Sequence, residues 1–418
     1  MKVLMFSMDK TLLGATKSGG DAVKRHKIYG EFCDELNVIV FCLSAKALAS
    51  EGKKGFSKQQ LSKNVFVWPT NSLTRFNYFF NAYQIGKQIY KDSPFNLVIG
   101  DLFTSVPAWF LKIKFKVHPV KCNAIFPKEK LFHRVKFLMH FHGDFWDNIL
   151  GLEKKWHNYF ILLFSKFLAR KADAIRVVSN GTKDKLVKAG IRSDKIFVIS
   201  TPTDLSKFLS FDQSRVYELK QKYNFENKNK VLIFDGRIEK VKNLNWFLEV
   251  FAELKKEYQN LIFLIIGQGT EKENLIKKTK ALNLESSVKF LNKVDYEDLT
   301  NYYQIADIYI LPSLSESFGK VLVQAGASGL PCVASATTGA KEIIPSSTKV
   351  TAGRQDEETG LLVPINNKKQ FINKILKLLK DEKLAKQMGA NAKIFVKENF
   401  DGDTQIKKII KLWQSLVF

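Results

Sequence analysis

The sequence predicts an α/β protein of two domains facing across a cleft, each built on a parallel, doubly wound sheet. Three observations support this. At 418 residues the chain is too long for one ordinary core and suits two units of about 200 residues each. Short β-rich runs alternate with longer amphipathic stretches in both halves, which is the pattern of βαβ units. Apolar residues make up 45% of the chain, enough for two packed interiors.

In the first half, the segments 2–7, 38–43, 64–67, 96–99, 136–141, 174–179 and 196–200 read as strands. The second half repeats the pattern at 231–235, 261–266, 288–291, 308–311 and 332–335. Between Leu244 and Leu254, apolar residues at 244, 247, 248, 251 and 254 give one helical stripe. The polar, proline-free stretch from Ser206 to Lys230 reads as the hinge. Domain limits follow at 1–205 and 206–400, with 401–418 as a terminal amphipathic helix. A ligand site between the two halves is the expected consequence.

Composition narrows the function. The chain enters a strand at Lys2, which leaves no room for a signal peptide, and no apolar run reaches the ~18–20 residues that span a bilayer. Cys33, Cys42, Cys122 and Cys332 show neither disulfide nor metal spacing, which suits a reducing cytoplasm. The net charge of +25 points to acidic partners. Lysines are spread along the whole chain, and the stretch from Phe110 to Arg134 is denser, with Lys112, Lys114, Lys116, Lys121, Lys128 and Lys130 interleaved with Phe115, Phe126 and Phe132. Cations among aromatics suit the headgroup zone of an anionic membrane. No nucleic-acid motif accompanies the charge, so nucleic acid is not an expected partner.

The stretch from Asp307 to Ser335 is the most informative. A strand runs into Pro312 and Ser313, then a polar turn, then Gly319 opens an apolar, helix-compatible run. Free N–H groups at such a helix start can hold an anion. Glu316 lies in the loop and Gln324 eight positions further on, so polar groups stand at the mouth and on the first turns of the helix. This layout suits a phosphorylated, hydroxyl-rich ligand. Upstream, Gly236 follows a strand and lets the backbone turn, while Arg237 and Lys242 converge from the two ends of the loop. A bidentate guanidinium with a point-charge ammonium fits a diphosphate. His142 lies at the carboxyl end of another strand, where open α/β sheets place ligands. His140, two positions back, reads as packing. Asp401-Gly402-Asp403 reads as a helix-capping turn.

Glu316, Phe318, Gly319, Ala325, Gly329, Pro331 and Val333 fall in register with the Glu-x7-Glu signature of retaining glycosyltransferases of the GT-B type, family 4 in particular. The chain closely resembles that family, except that Gln324 stands where its second glutamate would be. Gly236, Arg237 and Lys242 match its G-R-x-x-x-x-K motif, and His142-Gly143-Asp144 resembles its H-G-D segment. Gly339 to Ile344 and Glu358 to Val363 resemble further family segments, the latter as a turn.

The resemblance implies two Rossmann-like domains, with the terminal helix crossing back to the first. It implies that Arg237 and Lys242 neutralise a donor diphosphate, aided by the helix start at Gly319 and Lys320. Glu316 would orient the donor sugar, with His142 supporting it, and Gln324 would bond ribose hydroxyls without charge. Lys293 and Val294 would hold the nucleotide base, and Gly19 and Gly20 would face the phosphates from the first domain. Phe318 belongs to the same block. The implied reaction needs no cofactor or metal: the donor is a nucleotide-diphosphate sugar, UDP-sugar favoured and GDP-mannose next. The acceptor is a glycan or lipid-linked molecule of cell-envelope polysaccharide synthesis, met at the inner face of the membrane. Two other readings of the same residues stay open, a nucleotide-sugar-binding protein without catalysis and a sugar-nucleotide epimerase on the same fold.

Overall fold

The computed structural model describes residues 1–14, 20–44, 56–74, 77–102, 104–115, 118–119, 132–142, 156–223, 225, 229–295, 298–345 and 359–418. The first domain contains β1 (Lys2–Ser7), α1 (Gly20–Glu31), β2 (Glu35–Val40), β3 (Gln59–Ser62), β4 (Val65–Pro69), α2 (Tyr78–Asp92), β5 (Leu97–Asp101) and α3 (Ser105–Lys114). It continues with the two-residue strands β6 (His118–Pro119) and β7 (Phe132–His133), then β8 (Lys136–Phe141), α4 (Trp156–Lys171), β9 (Ala174–Val177), α5 (Asn180–Lys188) and β10 (Ile196–Val198). The second domain contains α6 (Ser206–Leu209), α7 (Gln213–Lys222), β11 (Lys230–Asp235), α8 (Leu244–Glu257), β12 (Leu261–Ile266), α9 (Lys272–Ala281), β13 (Val288–Leu291) and α10 (Leu299–Gln304). After them come β14 (Ile308–Leu311), α11 (Lys320–Ala327), β15 (Cys332–Ser335), α12 (Ala340–Ile343), β16 (Leu361–Val363), α13 (Lys368–Lys380), α14 (Glu382–Phe400) and α15 (Gly402–Val417).

The first sheet has eight strands in the order β10-β9-β8-β5-β1-β2-β4-β3, parallel except for β3. The second has six in the order β13-β12-β11-β14-β15-β16, parallel throughout. Helices cover both faces of such sheets, so their strands are apolar without alternation. Strand β12, Leu-Ile-Phe-Leu-Ile-Ile, is buried at every position. In each sheet the strand order reverses once, between β1 and β5 and between β11 and β14. At these reversals neighbouring loops diverge and leave a crevice at the carboxyl ends of the strands.

Two expectations need correction. The stretch Ser206 to Lys230 is not a hinge: α6 and α7 lie within it, and Phe208, Val216 and Leu219 are buried in the second core. Asp212 caps α7 by accepting from Ser214 and Arg215 N–H groups, and Arg215 pairs with Asp298 at 3.0 Å. The polarity seen in sequence belongs to the solvent face of an anchored helix. The segment ending at Val363 is an edge strand paired with β15, not a turn.

Helix α15 packs against the first sheet beside α1. Ile409 and Trp413 are fully buried there, and Trp413 lies 5.1 Å from the Tyr29 ring. Asp401 caps it by accepting from the Thr404 N–H at 3.1 Å. The chain passes between the domains twice, and the two passages touch at the Thr203–Asp401 bridge.

The outer face of the first domain is unusual. Trp109 on α3 meets Phe164 and Phe167 on α4, and Phe110 meets Tyr83 on α2. Phe110 exposes 48% of its surface and Leu163 65%, where a soluble surface would carry polar groups. Lys114, Arg170 and Lys171 border the patch, and neither α3 nor α4 contains an acidic residue. Among the described residues no helix is long and apolar enough to cross a membrane.

Candidate functional site

The reversal between β11 and β14 brings together two loops that are far apart in sequence. The loop after β11 carries Gly236, Arg237 and Lys242, and the loop after β14 carries Glu316. They are tied by a Leu314 N–H to Val241 C=O bond of 2.9 Å. Pro312 and Ser313 continue β14 as buried residues, which holds the loop base rigid. Gly319 adopts φ +84, a left-handed conformation that glycine accepts without a Cβ penalty, and α11 begins at Lys320. Gln324 therefore stands one turn into the helix.

Glu316 is held from three directions. Its Oε1 accepts from Lys242 Nζ at 2.5 Å and from the Ser313 hydroxyl at 2.8 Å. Its backbone carbonyl accepts the Gly339 N–H at 2.7 Å. Gly339 is required there, since a Cβ would come within 2.5 Å of the Phe318 backbone. Phe318 itself is buried, its ring edge-on to Phe400, so only its backbone remains available to a ligand.

Beside this pair lies a pocket of about 450 Å³. Its wall includes Gly236, Arg237, Lys293, Val294 and Gln324, five of the residues singled out from sequence, together with Asp235. Arg237 and Lys293 are exposed to solvent, whereas Gln324 is buried. Gly267 shapes the floor. Its φ of +150 suits glycine, and any Cβ there would collide with the Gly236 carbonyl oxygen. Asp235 closes β11 with a carboxyl that accepts from the Tyr303 hydroxyl at 2.6 Å. Burial raises its pKa, opposed by hydrogen bonds from Tyr303 and Tyr309 and by the charge of Lys242.

The first domain supplies the opposite wall. The His142 carbonyl accepts from the Ser317 hydroxyl at 2.7 Å, a direct bond across the cleft beside Glu316. His142 is solvent-exposed at the end of β8, although neighbouring protein desolvates its ring in part. That desolvation, with the charges of Arg176 and Arg25, lowers its pKa and keeps the imidazole neutral. His140 lies behind it, buried, with ring centroids 5.5 Å apart. Burial first, then Arg176, holds His140 well below the usual imidazole range, in keeping with a packing role. Gly20 opens α1, while Gly19, Gly143 and Asp144 lie outside the described residues. A second cross-cleft contact joins Asn180 at the start of α5 to Glu342 at 2.7 Å.

Sequence reasoning missed Ser313, Ser317, Glu342 and Asp235 as site or cleft residues. Ser317 and Glu342 act through partners distant in sequence and gave no local signal, whereas Ser313 meets Glu316 only three positions on. Asp235 did give one, an acid ending a strand whose preceding residues, Val231 to Phe234, are apolar.

Comparison with known proteins agrees with this architecture. Residues 216–395 match the family model described as "Glycosyl transferases group 1", and residues 36–207 match "Glycosyltransferase Family 4". The two matches lie one in each domain. The chain is similar to the N-acetyl-alpha-D-glucosaminyl L-malate synthase of Bacillus anthracis, 24% identical over 82% of this chain and 84% of the relative. It is also similar to an uncharacterized glycosyltransferase of Methanocaldococcus jannaschii, 28% identical over 70% of each. Among solved structures, sucrose-phosphate synthase from Thermosynechococcus elongatus superposes with a TM-score of 0.77 at 17% identity, over 100% of this chain and 99% of the other. Anabaena HepE in complex with UDP and glucose superposes with a TM-score of 0.71 at 19% identity, over 99% and 100%. At such identities the superpositions show the fold alone.

Proposed function

The chain belongs to the group 1 glycosyltransferases of the GT-B fold, and we propose that it transfers a sugar from a nucleotide-diphosphate sugar with retention of anomeric configuration. UDP-sugar is the favoured donor and GDP-mannose the next. The observation that carries the proposal is the pocket holding Gly236, Arg237, Lys293, Val294 and Gln324 beside the Lys242–Glu316 pair. A base fits against Lys293 and Val294, and a diphosphate fits between Arg237, Lys242 and the N–H groups at the start of α11. The donor sugar then reaches Glu316, with neutral His142 opposite.

In the reaction the bond from the anomeric carbon to the phosphate oxygen breaks. The acceptor oxygen bonds to that carbon from the same face, and its proton passes to the departing diphosphate. Arg237, Lys242 and the helix start stabilise the charge that develops on the leaving group. No divalent cation is required in this scheme. Thermal-shift assays with UDP, GDP, ADP and their sugars test the donor site. One nucleotide should stabilise the protein equally with and without EDTA, and Arg237→Ala should abolish the shift. Absence of any shift in the wild-type protein would overturn the reading.

The acceptor is a glycan or lipid-linked molecule of cell-envelope polysaccharide synthesis, met at an anionic membrane face. The support is the exposed aromatic patch of α3 and α4, its cationic border and its lack of acids. The protein should co-sediment with vesicles containing phosphatidylglycerol but not with pure phosphatidylcholine vesicles. Phe110→Ser with Leu163→Ser should lower the bound fraction at least about fivefold without changing the melting temperature. Equal sedimentation of the variant, or a stable dimer burying this face, would refute the membrane assignment.

A further inference from the structure

We infer that the start of α5 and the turn into α12 form a latch between the two domains. In it Asn180, Gly181 and Glu342 are positioning residues that set how closely the His142 wall stands against Glu316. All three lie outside the nucleotide pocket and outside the loops that carry Arg237 and Glu316.

Three observations carry it. First, the start of α5 leaves a donor for the other domain. Ser179 caps the helix, but its hydroxyl accepts the Thr182 N–H at 3.3 Å and its carbonyl accepts the Lys183 N–H at 3.2 Å. The Asn180 N–H goes to Glu342 Oε2 at 3.1 Å, and the Asn180 side-chain amide donates to Oε1 at 2.7 Å. A carboxylate on the first turn of a helix gains both from these bonds and from the positive end of the dipole. Second, the two elements meet at van der Waals limits. A Cβ on Gly181 would stand 2.5 Å from the Thr338 methyl group. Gly181 lies within α5, where glycine is a poor helix former, so the close approach to Thr338 is what it provides. Third, the same turn is tied to Glu316, because Gly339 donates its N–H to the Glu316 carbonyl at 2.7 Å. Direct contacts therefore run from α5 through Thr338 and Gly339 to Glu316.

The latch occupies the flank of the cleft away from the nucleotide pocket. That pocket is walled by second-domain residues alone. Asn180, Gly181 and Glu342 instead border a separate cavity of about 460 Å³, whose other wall includes Leu314 and Ser315. Hinge closure is set by a small balance of contacts, so a charge-assisted pair at this place biases it. Free nucleotide is then indifferent to the latch, whereas a donor sugar that reaches His142 needs the first domain in place. That last distinction rests on the donor-site reading above.

Small-angle X-ray scattering and calorimetry test this on Glu342→Ala, Gly181→Ala, Asn180→Asp and the double variant Asn180→Asp with Glu342→Gln. Glu342→Ala and Gly181→Ala should each increase the radius of gyration of the ligand-free protein. Both should weaken binding of UDP-glucose about three- to tenfold, with UDP affinity held within about twofold of the wild-type value. GDP-mannose and GDP replace them if GDP is the nucleotide bound. Gly181→Ala should do this without lowering Tm, since alanine favours the helix. Asn180→Asp alone sets two carboxylates face to face and should also open the cleft. Adding Glu342→Gln, whose amide donates to the introduced acid, should return the radius to the wild-type value. Wild-type scattering from Glu342→Ala and Gly181→Ala overturns the inference. Equal weakening of UDP and UDP-glucose, with a fall in Tm, marks a purely structural role and overturns it too. If the wild-type protein binds no nucleotide, the donor-site reading fails by itself, and the scattering of the variants still decides the latch.

Discussion

Glu316→Ala should lower kcat by about 10²–10³-fold while leaving the affinity for free nucleotide equal to or tighter than that of the wild-type protein. The opposite signs have one cause. Lys242 lies 2.5 Å from Glu316, and both side chains are largely buried, at 16% and 13% exposure. A diphosphate entering the site must compete with Glu316 for Lys242. Removing the acid frees the ammonium for phosphate, yet leaves no carboxylate to hold a donor-sugar hydroxyl as the glycosidic bond breaks. Lys242→Ala should do the reverse. It strands a carboxylate that keeps only the Ser313 hydroxyl, weakens nucleotide binding and lowers stability by roughly 3 kcal/mol. Steady-state kinetics with calorimetry on both variants separates the effects. A Glu316→Ala enzyme turning over at the wild-type rate would remove Glu316 from the reaction.

The second large effect is expected at Gly267, which exposes no chemistry at all. Its φ of +150 is strained for any other residue, and a Cβ would collide with the Gly236 carbonyl oxygen. Relief requires the loops after β11 and β12 to separate, and the β11 loop carries Arg237. Gly267→Ala should therefore lower stability by about 3 kcal/mol or more, a fall in Tm on the order of 10 °C, and weaken nucleotide binding as well. Gly190 is the control. Its φ is +83 but nothing lies within 4 Å of the added Cβ, so Gly190→Ala should lower stability by only about 1 kcal/mol with binding intact. Equal Tm losses in the two variants would show that backbone conformation, not the contact between loops, is what Gly267 provides.

Much of the fold was legible because parallel strands buried on both faces are continuous apolar runs. Segments 2–7, 136–141, 261–266 and 288–291 coincide with β1, β8, β12 and β13. The antiparallel edge strand β3, Gln-Gln-Leu-Ser, was not legible because an edge facing water carries no apolar signature. The Ser206–Lys230 stretch misled for a related reason: α7 buries only Val216 and Leu219, so a firmly docked helix reads as a polar linker. In the site, Arg237 and Gln324 could be proposed because local spacing announces them. The contacts that orient the site are non-local. Lys242 meets Glu316 across 74 positions and Ser317 meets His142 across 175, and only the strand order joins such pairs.

The burial of α15 in the first domain bears on the order in which the chain can mature. The first eight-stranded sheet is synthesised early, yet the part of one face beside α1 stays uncovered until Ile409 and Trp413 arrive. A nascent chain must therefore carry an open apolar face while the whole second domain is made. The second domain meets no such delay, because β11 to α14 close their own core. Vectorial synthesis would then complete the later half first, and the final helix would act as the clasp that finishes the earlier one.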